Sequence, residues 1–243
     1  HGILGALYPQ RVWEHGGVAF LEGGGTTSWI GLVNKGLYDP AEISWGGWGG
    51  RFSRERTCVR AGQKDVAPSE EDYLPFLMYP NAADEWGELM EVECKSGGSG
   101  HWDSRLFAPI WRWRQGFNND FQARMDWCVS EYGKANHHPI AAFMGDTNRS
   151  VVRLTAAPGE DLELDASASS DPDGDALRFA WYVYPEAGTY EGTVEIGSPG
   201  APCARVTIPG DAAGKQTHVI LEVGDDNEIV TLKSYRRIVI DVA

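Results

Sequence analysis

Three carboxylates at alternate positions, Asp171, Asp173 and Asp175 in SDPDGD, form the most chemical-looking cluster in the chain. Hard oxygens at that spacing, with Gly174 at the bend, supply ligands as a calcium loop does, although the helices and distal Glu of an EF-hand are missing. A second acidic run, GDDNE, carries Asp225, Asp226 and Glu228. In a Greek-key sandwich the loop between the second and third strands lies at the same end as the last loop, so the two runs either share a cation or repel. A Ca²⁺ site on Asp171, Asp173, Asp175, Asp225 and Asp226 is one expectation. The other is that the Asp side chains only cap their own turns.

The second constellation is aromatic. In SWGGWGGRF, Trp45 and Trp48 are separated by two glycines and followed by Gly49, Gly50 and Arg51. Glycine at this density costs backbone entropy, so it implies close approach or positive φ. Trp45 and Trp48 can form a platform for a sugar ring, with Arg51 bonding a hydroxyl and Trp102 and Trp111 as further contacts. Alternatively, the indoles plug a core and glycine lets the chain coil around them. Hydrolysis would need paired carboxylates or a metal-held water. Glu22, Asp103 and Asp120 are available, but no motif brings two together, so no catalytic residue is assigned. EGGGTTS lacks the Lys-Ser/Thr of a phosphate-binding loop. His1 followed by Gly2 suits a copper brace only with a second His and a sandwich starting at residue 1.

The element that must position these groups is WRWRQGFNNDFQARMDWCVSEY, Trp111 to Tyr132. Trp113, Phe117, Phe121, Met125, Cys128 and Tyr132 recur at helical spacing, and Pro109 and Gly133 bracket the run. This helix is the expected pillar between two unlike halves, with Cys128 buried on its apolar face. DEWGELMEVEC, from Asp84, also has a helical look. From Ser150 onward the pattern is strands alone: VVRLTA, DLELDAS, ALRFAWYVY, GTVEI, CARVTIP, HVILEVGD and YRRIVIDV, with Trp181 in the position of a core-filling central-strand tryptophan. The linker NHHPIAA precedes them, and His137 and His138 are read there as solvent-exposed.

The chain has 243 residues and a net charge of −14, with the larger share of the acidic excess after Asn136. That balance excludes sequence-independent nucleic-acid binding, which relies on basic residues neutralising phosphates. No apolar run is long enough to span a membrane. The start HGILGALYPQ has neither an initiator Met nor a signal-like segment, so a processed chain or fragment is expected, with any export signal out of view. Cys58, Cys94, Cys128 and Cys203 lack metal-site spacing, and Cys58 with Cys94 is the expected bridge if one forms.

NHHPIAAF, LDASASSDPDGDALRFAWYVYPEAG, HVILEVGD and YRRIVI together resemble the PKD-like and immunoglobulin-like sandwich modules of bacterial exported proteins. GWGGRF, RWRQGFNNDFQARMDWC and WYVYPEAGTYEG together resemble, more narrowly, a bacterial family of cellulose-binding proteins in which a nucleoside-hydrolase-like domain precedes a small β-sandwich. The resemblance implies an α+β multidomain chain. Residues 1–135 would be the C-terminal portion of a partial α/β nucleoside-hydrolase-like domain with a long helix, and 136–243 an immunoglobulin-like antiparallel β-sandwich. It also implies that the Ca²⁺-binding Asp cluster of true nucleoside hydrolases lies upstream, and Gly24 and Gly25 stand where an acid is expected. The implied function is a secreted or periplasmic carbohydrate-associated binding protein, for a cellulose-like polysaccharide or small sugar, without catalysis in this chain. A hydrolase of N-glycosyl or glycosyl bonds and a structural assembly subunit are the alternatives. The missing portion as a separate chain, or a homo-oligomer, would cover the exposed core of the first half.

Overall fold

The computed structural model describes residues 30, 33–54, 82–86, 105 and 108–243, and the backbone alone at 57–58, 77–78, 92–93 and 101–102. In the first half, strand β1 (Thr57–Cys58) pairs antiparallel with β2 (Leu77–Met78), and β3 (Val92–Glu93) with β4 (His101–Trp102). Helix α1 (Ala108–Trp111) carries Pro109 in its first turn, where a missing N–H costs nothing. Helix α2 runs Arg114–Trp127. The expected single helix is therefore broken at Trp113, whose φ of −99° and ψ of 0° lie off the helical norm. It ends short of Tyr132, which opens a 3₁₀ turn to Lys134. The helical reading from Asp84 is also corrected, because Ala82–Trp86 is irregular and Val92–Glu93 is extended.

The buried face of α2 differs from its apolar pattern. Phe117, Asn118, Asp120 and Ala123 are buried, whereas Met125 is 48 % and Tyr132 75 % exposed. Cys128, expected inside, is exposed and its thiol donates to the Arg124 carbonyl. Polar Asp120 takes the inward place because charged partners from distant segments meet it there.

All seven strands expected after Ser150 form: β5 (Val152–Ala156), β6 (Asp161–Asp165), β7 (Leu177–Val183), β8 (Glu195–Gly197), β9 (Cys203–Thr207), β10 (Gln216–Asp225) and β11 (Lys233–Val242). They make a four-stranded sheet ordered β5-β11-β10-β7 and a three-stranded sheet ordered β6-β9-β8. Strand β5 runs parallel to β11, so the sandwich is not wholly antiparallel. Between the sheets lie Leu164, Trp181, Val206, Val219, Leu221, Val223, Ile238 and Ile240, with Trp181 Nε1 donating to the Ala201 carbonyl at 2.9 Å.

Strands β10 and β11 are buried on both faces, which is why HVILEV and RRIVI read as continuous rather than alternating runs. The outer face presents Tyr182, Ile220 and Tyr235, against which Leu37, Trp48, Ile110, Trp113 and Phe117 pack; Tyr184, just beyond β7, joins them. Trp48 and Trp113 meet the Tyr235 ring edge-on, at 6.2 and 5.6 Å between centroids. Burying an indole removes on the order of 200 Å² from water, an upper estimate of about 5 kcal/mol apiece. That exceeds what any exposed ion pair contributes, so aromatic burial joins the two halves.

Backbone completes the junction. Strand β5 covers only Ile238–Val242 of its neighbour, leaving the N–H groups of Tyr235 and Arg237 open on that edge. Tyr235 N donates to the Lys35 carbonyl at 2.8 Å and Arg237 N to the Gly36 carbonyl at 3.0 Å. Gly36 has φ +94°, and a Cβ there would stand 1.8 Å from the Tyr235 carbonyl oxygen, so only glycine fits.

Candidate functional site

The Trp-Gly loop folds by local turns, with Trp45 N bonded to the Glu42 carbonyl, Gly50 N to the Gly47 carbonyl and Phe52 N to the Ile43 carbonyl. Gly46 adopts φ +77° and lies against the Tyr184 hydroxyl, where a Cβ would come within 2.7 Å. The coiling leaves a cavity of about 250 Å³ lined by Leu37, Tyr38, Ile43, Trp48, Phe52 and the glycine backbone, with Lys35 and Glu42 as its charged members. Tyr38 is 43 % exposed. Aromatic walls with few polar groups are the usual make-up of a small-ligand pocket.

Trp45 and Trp48 are 5 % and 4 % exposed, so in this structure they form no open platform. Trp45 stands edge-on over His218 at 4.9 Å, with the Arg153 guanidinium 4.7 Å from its own ring. Buried Arg237 ties this loop to the sandwich: Nε donates to the Leu37 carbonyl, Nη2 to the Gly46 carbonyl and Nη1 to His218 Nδ1, at 2.9, 2.8 and 2.9 Å. Burial lowers the Arg237 pKa to about 10. Burial, then the charges of Arg237 and Arg153, lower that of His218 to about 2.

Arg51 is committed to Asp84, as are Arg112 and Tyr184. The fully buried carboxylate accepts from Arg51 Nε at 2.7 Å, Arg112 Nη1 at 2.8 Å and the Tyr184 hydroxyl at 2.7 Å. The Arg112 guanidinium lies 3.9 Å from the Tyr184 ring centre. Burial and the neighbouring Asp84 push the Tyr184 pKa well up, so it remains a donor. Trp111 is half-buried, and the Trp102 side chain lies outside the described residues.

Asp120, a candidate acid for hydrolysis, is held by three basic partners: Lys35 Nζ at 3.1 Å, Arg124 Nε at 2.7 Å and His138 Nε2 at 2.6 Å. Burial alone would raise its pKa, but the His138 and Arg124 bonds and the Lys35 charge outweigh that and hold it well below the usual carboxylate range. Burial lowers Lys35 to about 8 despite Asp120. His138, expected in solvent, is a buried partner instead, its pKa depressed by burial and by Lys35, against the Asp120 bond. His138 Nε2 faces the Asp120 carboxylate at 2.6 Å and Nδ1 faces the Lys233 carbonyl at 3.1 Å, both acceptors. Glu22, Asp103, Cys94 and the Cys58 side chain lie outside the described residues, and with them the expected bridge and the glycine-rich segment at Glu22.

The two acidic loops do meet. Asn227 Nδ2 donates to Asp175 Oδ2 at 2.9 Å and Ala176 N to Asp226 Oδ1 at 3.0 Å. Asp171, Asp173 and Asp175 each place an oxygen within 4.8 Å of the others. Asp171 also caps its own turn, its Oδ1 accepting from Asp173 N and Asp175 N at 2.8 and 3.2 Å. Asp225 accepts through Oδ1 from Leu232 N and Asn227 N and through Oδ2 from Asn136 Nδ2. Asn136 and His138 carried no sequence signal, since their partners lie far along the chain.

Residues 161–242 match the family described as cellulose-binding protein Sde0182, C-terminal domain, and residues 1–52 match cellulose-binding Sde182, nucleoside hydrolase-like domain. Among solved structures, the chain is similar to a nucleoside hydrolase-related hypothetical protein from Saccharophagus degradans that is associated with carbohydrate metabolism. The identity is 37 %, the TM-score 0.70, and the match covers 100 % of this chain and 51 % of that one. The chain thus spans about half the length of that relative. The titin M3 domain aligns over 43 % of this chain and 95 % of its own length, at 12 % identity and a TM-score of 0.24. No curated protein matches.

Proposed function

We propose that this chain, which belongs to the cellulose-binding protein family joining a nucleoside hydrolase-like domain to a C-terminal domain, binds a neutral, cellulose-like polysaccharide or a short sugar derived from it. The observation that carries the reading is a likeness running the whole length of the chain to a protein associated with carbohydrate metabolism. The cavity beside Trp48 is the candidate seat, since it joins an indole, Tyr38 and Phe52 to the charged side chains of Lys35 and Glu42. Net negative charge suits an uncharged ligand. A polysaccharide ligand supports a secreted or periplasmic setting. The strand order supports an immunoglobulin-like class for the sandwich, and the end of the 3₁₀ turn at Lys134 supports a domain boundary at residue 135.

The test is retention on insoluble cellulose together with calorimetry against cello-oligosaccharides. Tyr38→Ala and Phe52→Ala are the informative variants, because both side chains line the cavity without holding a buried ion pair. Retention of the wild type and a tenfold or greater loss of affinity in either variant are expected. Wild type passing through unretained, with no heat from any oligosaccharide, sinks the reading.

A further inference from the structure

The geometry points to a calcium site formed by Asp171, Asp173, Asp175 and Asp225 and completed by Asn136, a residue ahead of the sandwich strands. The acidic spacing alone would not carry this, because the same residues satisfy their own turns. The second observation is two buried oxygens without donors. Asp171 Oδ2 and Asn136 Oδ1 are both shut off from solvent and neither accepts a hydrogen bond. Asn136 is only 6 % exposed. Its amide orientation is fixed: Nδ2 faces Asp225 Oδ2 at 3.0 Å and the Val230 carbonyl at 2.7 Å, both acceptors, so the nitrogen must stand there and Oδ1 turns away from them. The next residue, His137, donates its backbone N–H to Asp173 Oδ2 at 2.6 Å. Asn136 is thereby held between the two acidic loops, and an orphaned carbonyl there costs free energy that a cation would recover.

The ligand chemistry suits calcium. All the oxygens are hard, four come from carboxylates and one from an amide, a mix that Ca²⁺ accepts at 2.3–2.6 Å. Oxygens on opposite sides of such an ion lie up to roughly 5 Å apart, the span that Asp171, Asp173 and Asp175 already have. Magnesium, with shorter bonds and a strict octahedron, would require the loop to contract. Asp226 stands outside the set: it is exposed, with its Oδ2 4.0 Å from exposed Arg178, whereas Asp225 is buried beside Asn136. Because Asn136 follows the 3₁₀ turn after α2, the ion would fasten the acidic end of the sandwich to the first half. It would therefore be a structural cation, separate from the carbohydrate reading.

The test uses the full chain, stripped with EDTA and titrated with CaCl₂ by calorimetry, beside melting curves in EDTA and in millimolar Ca²⁺. A saturable heat and a higher melting temperature in Ca²⁺, reproduced by neither assay with Mg²⁺, are expected. Asp171→Asn keeps the Oδ1 acceptor of the turn but loses the charged orphan oxygen, and should weaken Ca²⁺ at least tenfold. Asp226→Asn should bind as the wild type. Asn136→Asp sets a further carboxylate beside Asp225, so it should melt lower in EDTA and show a wider Ca²⁺-dependent rise. A silent titration with identical melting in both buffers, D171N binding like wild type, or no wider rise in N136D each overturns the site.

Discussion

Arg237 Nη1 lies 2.9 Å from His218 Nδ1, so the imidazole accepts there and must be neutral. Its Nε2 carries the proton, donated to Gln216 Oε1 at 2.9 Å. A protonated ring would face the guanidinium directly. The folded-state pKa of about 2 is below the ordinary 6.5, so the unfolded chain takes up the proton first. Stability from this group is fully present above pH 6.5 and is lost progressively as pH falls toward 2, at about 1.4 kcal/mol per pH unit. Thermal melts from pH 7 to 4 should show a steep fall that His218→Gln flattens; parallel curves for both proteins would refute it.

Gly36→Ala places a methyl where the Tyr235 carbonyl oxygen already stands, on a backbone at positive φ. We expect a loss on the order of 4 kcal/mol, read from denaturant midpoints. Gly133→Ala, with nothing within 4 Å of its Cβ, serves as the control and should change stability by less than about 0.5 kcal/mol.

Asp84→Asn should be severe, because it leaves Arg51 and Arg112 without their buried counter-charge. Breaking one partner of such a pair costs about 3–5 kcal/mol. Tyr184→Phe removes one hydrogen bond to the same carboxylate and should cost about 1–2 kcal/mol. A D84N variant melting like the wild type would show that the hub is dispensable.

Cys128 and Cys203 are both exposed free thiols. Asp165, whose oxygen accepts from the Cys203 thiol at 3.4 Å, pushes the Cys203 pKa up. At pH 7.5 a thiol reagent should therefore modify Cys128 before Cys203, as peptide mass spectrometry would show. The opposite order would contradict this account.

The seven sandwich strands were legible because each is a short run whose apolar residues and turn punctuation lie within the run itself. Trp181 was legible for the same reason. The inward face of α2 was not. Periodicity chose Met125, Cys128 and Tyr132, whereas the fold buries Asp120, whose partners Lys35 and His138 come from elsewhere in the chain. A buried charge can be recognised only together with what neutralises it, and that information is not local. The indoles of the Trp-Gly loop left two readings open for a related reason. Whether Trp45 and Trp48 face solvent depends on the far face of β10 and β11, and only an uninterrupted apolar run hinted that this face was covered.

The carbonyls of Lys35 and Gly36 occupy hydrogen-bonding positions on β11 that its own sandwich neighbours leave vacant. Cut out as a cassette, the C-terminal half would carry away an unpaired strand edge and a bare patch of tyrosines, both invitations to self-association. This module is therefore not a bead that recombination can thread onto other chains unaltered; its neighbour has to travel with it.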